Sequence, residues 1–302
     1  MVLYHCQLSV VSFSFCIEGE LVVNLWKLRR VSTRGLLYLG AAVLAFQAAF
    51  PFFWMASTSF KPPVEVFAQP PAFIPSDPTL DNFWRLFTAT GFLTYFRNSL
   101  VVSGLAVLLT MVVSAAGAYS LTRYRYVGRE KIAMLILCTY MFAPIMVVIP
   151  FFILVKKVGI ENTHFALVLA FTSFCLPFTL WLMRAFFETI PLELEEAALV
   201  DGAGRVRAVI YVVLPLALPG IIATSIFTFI LAWNDYIFTR ILIASDDLKT
   251  LPVGVQDLFH SALIDWGLIM AAGMMITIPA LIFFVAVQRY LIRGWGAGAV
   301  KG

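Results

Sequence analysis

Residues 99–121 read SLVVSGLAVLLTMVVSAAGAYSL, a run of apolar and small side chains without one charged residue. A transmembrane helix needs about 20 such residues, because each residue rises about 1.5 Å and the hydrocarbon core of a bilayer is about 30 Å thick. The run is therefore long enough to cross a membrane as a single helix. Its small residues at 114–118, SAAGA, would let a second helix approach closely.

Five further runs predict an all-α, polytopic membrane bundle of about six transmembrane helices. Together the six runs cover Leu36–Ser57, Ser99–Leu121, Ile132–Val155, Phe165–Met183, Leu216–Phe238 and Trp266–Val287. The 302 residues are 61% hydrophobic and only 13% charged, with a mean hydropathy of +0.92. Since a soluble domain carries about 25% charged residues, this composition excludes an ordinary water-soluble protein. Prolines within the runs, at 144, 150, 177 and 279, predict kinked helices.

The positive charges predict that both termini lie in the cytoplasm. Lysines and arginines concentrate at 27–34, 123–131, 184–207 and 289–301, all of which this orientation places inside. Residues 1–30 form an N-terminal tail whose apolar stretch is too short to span a membrane, and residues 31–302 form the transmembrane domain.

The segment between the first two runs is external in this topology. Prolines interrupt its beginning, and Phe83, Leu86 and Phe87 then recur at helical spacing after Thr79, a residue type typical of helix N-caps. The pattern predicts a short amphipathic helix along the outer membrane surface.

The loop between the fourth and fifth runs, residues 191–220, reads PLELEEAALVDGAGRVRAVIYVVLPLALPG. Pro191 suits the first position of a helix, and the glutamates that follow complement the positive end of its dipole. Gly202 and Gly204 would end this helix before a second, apolar one begins. We expect a short cytoplasmic helix–turn–helix whose small central residues would fit a groove on a partner. The same features also suit a well-capped surface loop.

The spacing within this loop resembles the EAA motif of binding-protein-dependent ABC permeases. Glu196, Ala197 and Ala198 are followed by Gly202 and, after nine intervening residues, by the sequence VVLP from Val212, where isoleucine is common. From about Leu36 onward the chain is similar to the maltose-type carbohydrate permeases. Further matching stretches are LTRYRYVGRE, FFILVKKVGIENT, AWNDYIF, KTLPVGV and QRYLIRGWGAGAVKG.

The resemblance implies the fold, the partners and the site of coupling. It implies an ABC type I importer permease fold, with the EAA coupling loop at about 191–215 docked into an ATP-hydrolysing subunit. The implied coupling residues are Glu196, Ala197, Ala198, Asp201 and Gly202. The complex would hold two ATP-binding subunits, a second permease (a heterodimer) and an external substrate-binding protein, in a bacterial or archaeal inner membrane. ATP and magnesium would bind to the partner subunits, so this chain would need no cofactor and catalyse no reaction.

A cluster of polar and aromatic side chains near the outer end of the fifth run is a candidate for the substrate path. It consists of Trp233, Asn234, Asp235 and Tyr236. Polar groups at membrane depth usually face the bundle interior or a water-filled path, and sugar sites often combine aromatic faces with hydrogen-bonding groups. An interfacial aromatic belt with helix-packing contacts explains the same residues, and the sequence leaves both interpretations open.

Other functional classes find less support in the sequence. An ion-coupled secondary transporter normally has ionisable residues at mid-membrane or inverted repeats, and these runs contain little charge. A membrane enzyme would need paired carboxylates, a metal-ligand cluster or an activated nucleophile, and a phosphate-binding GxxxxGK[ST] loop is absent. The resemblance implies import of a sugar or oligosaccharide of the maltose or trehalose kind, with polyols and glycerol phosphate as alternatives within the family.

Overall fold

The computed structural model describes residues 35–260 and 264–296, and the secondary structure within these ranges is helical. The predicted tail, residues 1–30, and the last six residues lie outside them. The longer helices are α1 Gly35–Ser59, α3 Asp81–Ala89, α4 Phe92–Arg123, α5 Arg129–Thr139, α6 Pro144–Val158, α7 His164–Glu188, α8 Leu192–Val200, α11 Leu218–Trp233, α13 Leu251–Leu258 and α14 Trp266–Gly296. The shorter ones are α2 Pro63–Val66, α9 Arg205–Ala208, α10 Leu214–Leu216 and α12 Ile237–Leu242.

Four of these helices, α1, α4, α7 and α14, are individually long and apolar enough to cross a membrane. Two bent pairs raise the total to six if each pair is counted as one span. The prediction of about six spans is therefore met only when broken helices are included. Of the described residues, those up to Ala56 form one structural unit and those from Ser57 onward form the second, to which the packing described below belongs.

The predicted third span, Ile132–Val155, is not one continuous helix. It consists of α5 and α6, whose axes differ by 100°. Pro144 occupies the first position of α6, and Ala143 before it is extended, with φ −62° and ψ 141°. A proline disfavours the helical conformation of the residue that precedes it, so the chain turns at this point instead of bending gently. Pro150, Pro177 and Pro279 lie inside continuous helices.

The predicted fifth span, Leu216–Phe238, is also wrong as a single helix. Its regular part is α11, which ends at Trp233, and residues 234–236 separate it from α12. On the other side, α11 meets the segment Arg205–Leu216 at an angle of 76°. That segment contains a π-helical turn at Val209–Val213 between α9 and α10.

The centre of the second unit is the packing of α4 against α7. Small side chains at four-residue intervals on α4 are buried: Ala106, Thr110, Ser114 and Ala118. At Gly117 a β-carbon would lie 2.8 Å from Leu180 Cδ1 on α7. The close approach predicted from the SAAGA sequence is thus confirmed, since only small residues let two membrane helices come so near.

The short amphipathic helix predicted after Thr79 is present as α3, Asp81–Ala89, and its place outside the membrane stays a prediction. Its N-cap is Leu80, which makes no side-chain cap, so the prediction of Thr79 as the N-cap is wrong by one residue; Thr79 Oγ1 accepts instead from the Asp81 backbone amide over 3.1 Å. Leu86 is fully buried and belongs to a cluster with Ala271 and Ala272 of α14. An ion pair of 2.7 Å between Arg85 and Asp265 adds a second connection. The helix therefore packs on the bundle through its apolar side.

Candidate functional site

The predicted helix–turn–helix is formed by α8, a four-residue turn and α9. Pro191 lies one residue before the helix, with φ −57° and ψ 137°, and Leu192 is the first helical residue. Pro191 was expected at the first position inside the helix, so this boundary is shifted by one residue. Glu193 and Glu195 fall in the first turn, where carboxylates interact favourably with the helix dipole.

The end of α8 is a Schellman motif that depends on Gly202. Its φ of 86° lies in the left-handed region, which glycine enters without steric cost. The amide of Ala203 donates to the Ala198 carbonyl over 3.0 Å, and the amide of Gly202 donates to the Leu199 carbonyl over 3.1 Å. Gly204 differs, because its φ of −68° and ψ of 156° are open to any residue. Of the two predicted helix-breaking glycines, only Gly202 is required by its backbone conformation.

The five predicted coupling residues lie together on α8 and the turn that follows it. Glu196, Ala197, Asp201 and Gly202 are exposed, and Ala198 is half-buried. Next to them Val200 is also exposed, at 87%. The result is an open surface with small side chains in the middle and an apolar edge, the composition of a contact patch for another protein. Their function in coupling remains a prediction.

A buried ion pair fixes α8 from behind, and sequence reasoning missed it. Glu195 is 5% exposed, its Oε2 lies 3.1 Å from Arg123 Nε, and its Oε1 accepts a hydrogen bond from the Tyr119 hydroxyl. Arg123 also donates to the carbonyl of Ile190, just before α8, over 3.0 Å. In the sequence Glu195 was assigned only a dipole effect, and Arg123 counted only as a positive charge near the membrane. Nothing local in the sequence pairs residues so far apart.

The apolar end of the EAA-like motif packs into the bundle. Val213, in the π-helical turn, is fully buried in a cluster with Met183, Phe187 and Ala217. Ala118 of α4 belongs to the same cluster. The motif therefore combines an exposed helix with a buried segment that joins it to the membrane helices.

Trp233, the first candidate for the substrate path, lies in the packed interior. It is 1% exposed, its Nε1 donates to the Ile276 carbonyl over 3.2 Å, and its ring stacks on Phe229 with centroids 5.5 Å apart. Phe96 of α4 contacts the ring edge-to-face at 5.7 Å. These contacts are those of a helix-packing residue, and a role in transport stays a prediction.

The other three candidates line a cavity at the break between α11 and α12. The cavity has a volume of about 260 Å³, and its wall includes Asn234, Asp235 and Tyr236 together with rings of Phe171 and Phe174. Asp235 also accepts hydrogen bonds from the backbone amides of α12, at 3.1 Å from Thr239 and 3.4 Å from Phe238. The helix break thus exposes one amide and one phenol beside aromatic faces, and the carboxylate fixes the backbone that carries them.

No group of three histidine, cysteine, aspartate or glutamate side chains in the described part of the chain is arranged to hold a metal ion. Cys138 and Cys175 are free thiols, the first exposed and the second buried.

Comparison with known proteins gives the family. Residues 114–296 match the model of the family described as binding-protein-dependent transport system inner membrane component. The chain belongs to this family. It is 36% identical over 276 residues to the inner membrane ABC transporter permease protein YcjP of Escherichia coli, covering 91% of this chain and 99% of the relative. It is 34% identical over 281 residues to the trehalose/maltose transport system permease protein MalG of Thermococcus litoralis, covering 90% and 98%.

A solved structure agrees with this assignment. The fold matches a chain of a bacterial ABC transporter involved in the import of the acidic polysaccharide alginate, with a TM-score of 0.76 and 25% identity over 87% of this chain and 96% of that chain. The predicted family and the all-α permease fold are both confirmed, and the ion-driven alternative is the weaker one. This permease is a multi-pass membrane protein whose relatives are transport subunits rather than enzymes.

Proposed function

We propose that this permease is one of two membrane subunits of an ATP-driven importer for a sugar or oligosaccharide. In this proposal two ATP-binding subunits contact the face that carries α8, and an external binding protein delivers the substrate to the opposite face. ATP and magnesium bind to the partner subunits. Both termini of the permease lie in the cytoplasm, in agreement with the arginines on either side of α8, Arg184, Arg205 and Arg207.

The observation that carries the proposal is the contrast between the two sides of α8. Its outer side is exposed and small, with Ala197 at its centre, whereas Glu195 on the inner side is buried in an ion pair with Arg123. A helix held only on one side is a surface for a partner, and because the inner side is fixed, a displacement of α8 is passed on to α4. This is what coupling of nucleotide binding to the membrane helices requires.

The substrate class is supported by relatives and by the cavity at 234–236. The relatives include a trehalose/maltose permease, and the similar structure belongs to an alginate importer. The cavity of about 260 Å³ is lined by Asn234 and Tyr236 next to the Phe171 and Phe174 rings. Amide and phenol groups hydrogen-bond to hydroxyls, and aromatic rings stack on the apolar face of a pyranose. We place the sugar in this cavity during passage.

The transport cycle then follows alternating access. ATP closes the pair of ATP-binding subunits and moves α8 together with its counterpart on the second permease. The membrane halves shift from an inward-facing to an outward-facing state, take up substrate from the binding protein and release it inward after hydrolysis. Nucleotide biases this two-state equilibrium only through its different affinity for the two states.

The test of the coupling assignment is a pull-down of the tagged permease from its host in mild detergent, with every co-purifying protein identified. We expect an ATP-binding subunit and a second permease. Ala197→Trp, which adds bulk on the exposed side of α8, should reduce recovery of the ATP-binding subunit while the second permease remains. Ala89→Trp, at another exposed alanine on α3, is the matched control. A permease that purifies alone, or equal recovery with both variants, would contradict the assignment.

The substrate assignment needs a separate measurement in vesicles that contain the whole complex. Tyr236 and Tyr126 are 40% and 39% exposed, and only Tyr236 lines the cavity. Tyr236→Ala should raise the KM for sugar uptake, whereas Tyr126→Ala should leave it unchanged. If both variants behave like the wild type, the cavity is not part of the sugar path.

A further inference from the structure

The helix α4 is attached at both ends to segments outside the membrane core. It has 32 residues and is therefore about 48 Å long, whereas the hydrocarbon core of a bilayer is about 30 Å thick. The two ends consequently lie on opposite sides of the membrane. Unlike α6, α7 and α14, it contains no proline, the usual cause of a kink. The helix runs without a break from Phe92 to Arg123.

The end of α4 at Arg123 holds α8. Arg123 and Glu195 form a 3.1 Å ion pair in which the side chains are only 10% and 7% exposed. Tyr119, one turn earlier, donates its hydroxyl to the same carboxylate. Arg205, after the turn that ends α8, lies with its guanidinium 5.7 Å above the Tyr124 ring and donates to the Tyr124 hydroxyl over 3.3 Å. Both sides of the α8 turn are thus fixed to the end of α4.

The opposite end of α4 holds the segment 246–258. Asn98 is 1% exposed, and its Nδ2 donates to the backbone carbonyls of Asp247 and Lys249 over 2.7 and 3.0 Å. Ser99 is 3% exposed, and its Oγ accepts the backbone amide of Leu251 over 2.7 Å. These bonds reach backbone atoms, so they fix the path of the segment itself. The segment contains the 3-10 turn Asp246–Leu248 and α13.

We propose that α4 is the rigid connection that transmits the position of α8 to the outer segment 246–258. The inference rests on the proposed coupling function of α8 and adds the route by which its displacement reaches the other face. Arg123, Tyr119 and Glu195 are the positioning residues of one end, and Asn98 and Ser99 are those of the other. When nucleotide moves α8, α4 shifts as a unit and the segment 246–258 changes its position.

Hydrogen–deuterium exchange on the reconstituted complex, with and without ATP and vanadate, tests this connection. In the wild type both the α8 region and peptide 246–258 should change their exchange on nucleotide binding. With Glu195→Gln the response of 246–258 should be lost although the complex still binds nucleotide. The matched control is Glu130→Gln, which removes an ion pair of 2.9 Å between α5 and Arg184 of α7 without touching α8. The control should keep the full response.

The outer end is tested in the same assay with two asparagines that hold neighbouring parts of one segment. Asn98→Ala removes the hydrogen bonds that hold the carbonyls of Asp247 and Lys249 to α4. Asn162→Ala removes a bond of 2.7 Å to Ser245 that comes from the turn before α7. Only Asn98→Ala should uncouple 246–258 from nucleotide. An equal response in both variants would overturn the route through α4.

A charge-swapped variant separates loss of folding from loss of transmission. Arg123→Glu combined with Glu195→Arg should restore more of the response than either single change, which a general folding defect would not. If α8 itself fails to respond to nucleotide in the wild type, the proposed coupling function is wrong and this inference falls with it. If α8 responds and 246–258 responds equally in wild type and Glu195→Gln, only the connection through α4 is refuted.

Discussion

Substitution of Gly202 by alanine should weaken the end of α8 through backbone strain alone. Its φ is 86°, and no atom lies within 4 Å of the place where a β-carbon would stand. An L-residue other than glycine in this left-handed conformation costs about 1–2 kcal/mol, and no packing loss is added. That energy changes the ratio of closed to opened turn by a factor of about 5–30. Asparagine tolerates the conformation better, so Gly202→Asn should show a smaller effect.

The amides of Gly202 and Ala203 report this opening directly, because each donates a hydrogen bond that closes the turn. Their hydrogen exchange, followed by mass spectrometry on a peptide covering residues 199–204, should accelerate in Gly202→Ala. The matched control is Gly204→Ala, where φ is −68° and the space is equally open, so exchange should stay the same. Transport should follow the same order if the shape of α8 determines coupling. Equal exchange in the two alanine variants would refute the assignment of the turn to backbone strain.

Three further predictions concern packing and charge. Trp233→Ala removes a side chain that is 1% exposed and should cost about 3–5 kcal/mol of stability. The loss is measured as a lower unfolding temperature in detergent. Reduced sugar uptake with an unchanged unfolding temperature would instead indicate a substrate contact. At Gly220 a β-carbon would overlap the adjacent Phe186 ring, so Gly220→Ala should cost about 1–3 kcal/mol, whereas Gly104→Ala, with open space around it, should not lower the unfolding temperature. Pairing with Asp246 raises the pKa of Lys249 above 10.5, and Lys249 lowers the pKa of Asp246 below 3.8. The attraction between the two side chains is therefore fully present between pH 3.8 and pH 10.5. It is lost as the pH rises through the raised pKa of Lys249 or falls through the lowered pKa of Asp246. Lys249→Met should speed exchange of the outer segment at pH 7 and make no difference above the raised pKa, once the intrinsic pH dependence is removed.

The features that sequence reasoning predicted well are those decided over a few neighbouring residues. A long apolar run predicts a membrane helix whether lipid or another helix surrounds it. The end of α8 was predictable because Gly202 follows the last helical residues, and α3 was predictable because its apolar side repeats at helical spacing. None of these inferences requires knowledge of which helix packs against which.

The features that were missed depend on contacts between distant residues. Tyr119 and Glu195 are 76 positions apart, so no local pattern distinguishes Glu195 from the exposed glutamates on either side of it. The position of Glu195 on the inner side of α8 follows only when α4 and α7 are packed and the end of α4 is known. Charged residues near a membrane boundary are therefore not all markers of membrane orientation. A buried ion pair such as Arg123–Glu195 says more about mechanism than the number of positive charges in the loop.

The stretch 233–236 illustrates why adjacent residues of one predicted site separate in the structure. If residues 233–236 formed one continuous helix, Trp233 and Tyr236 would lie on the same face of it, since they are three residues apart. The helix ends after Trp233, however, so Trp233 stays in the interior of the bundle while Tyr236 is 40% exposed at the cavity. The break also turns the Asp235 carboxylate toward the amides of α12. The break thus puts residues 234–236 in the wall of the cavity. Under the proposed sugar path, a substitution that restores a continuous helix across 234–236 should abolish sugar uptake by vesicles that contain the whole complex, and unchanged uptake would contradict that path.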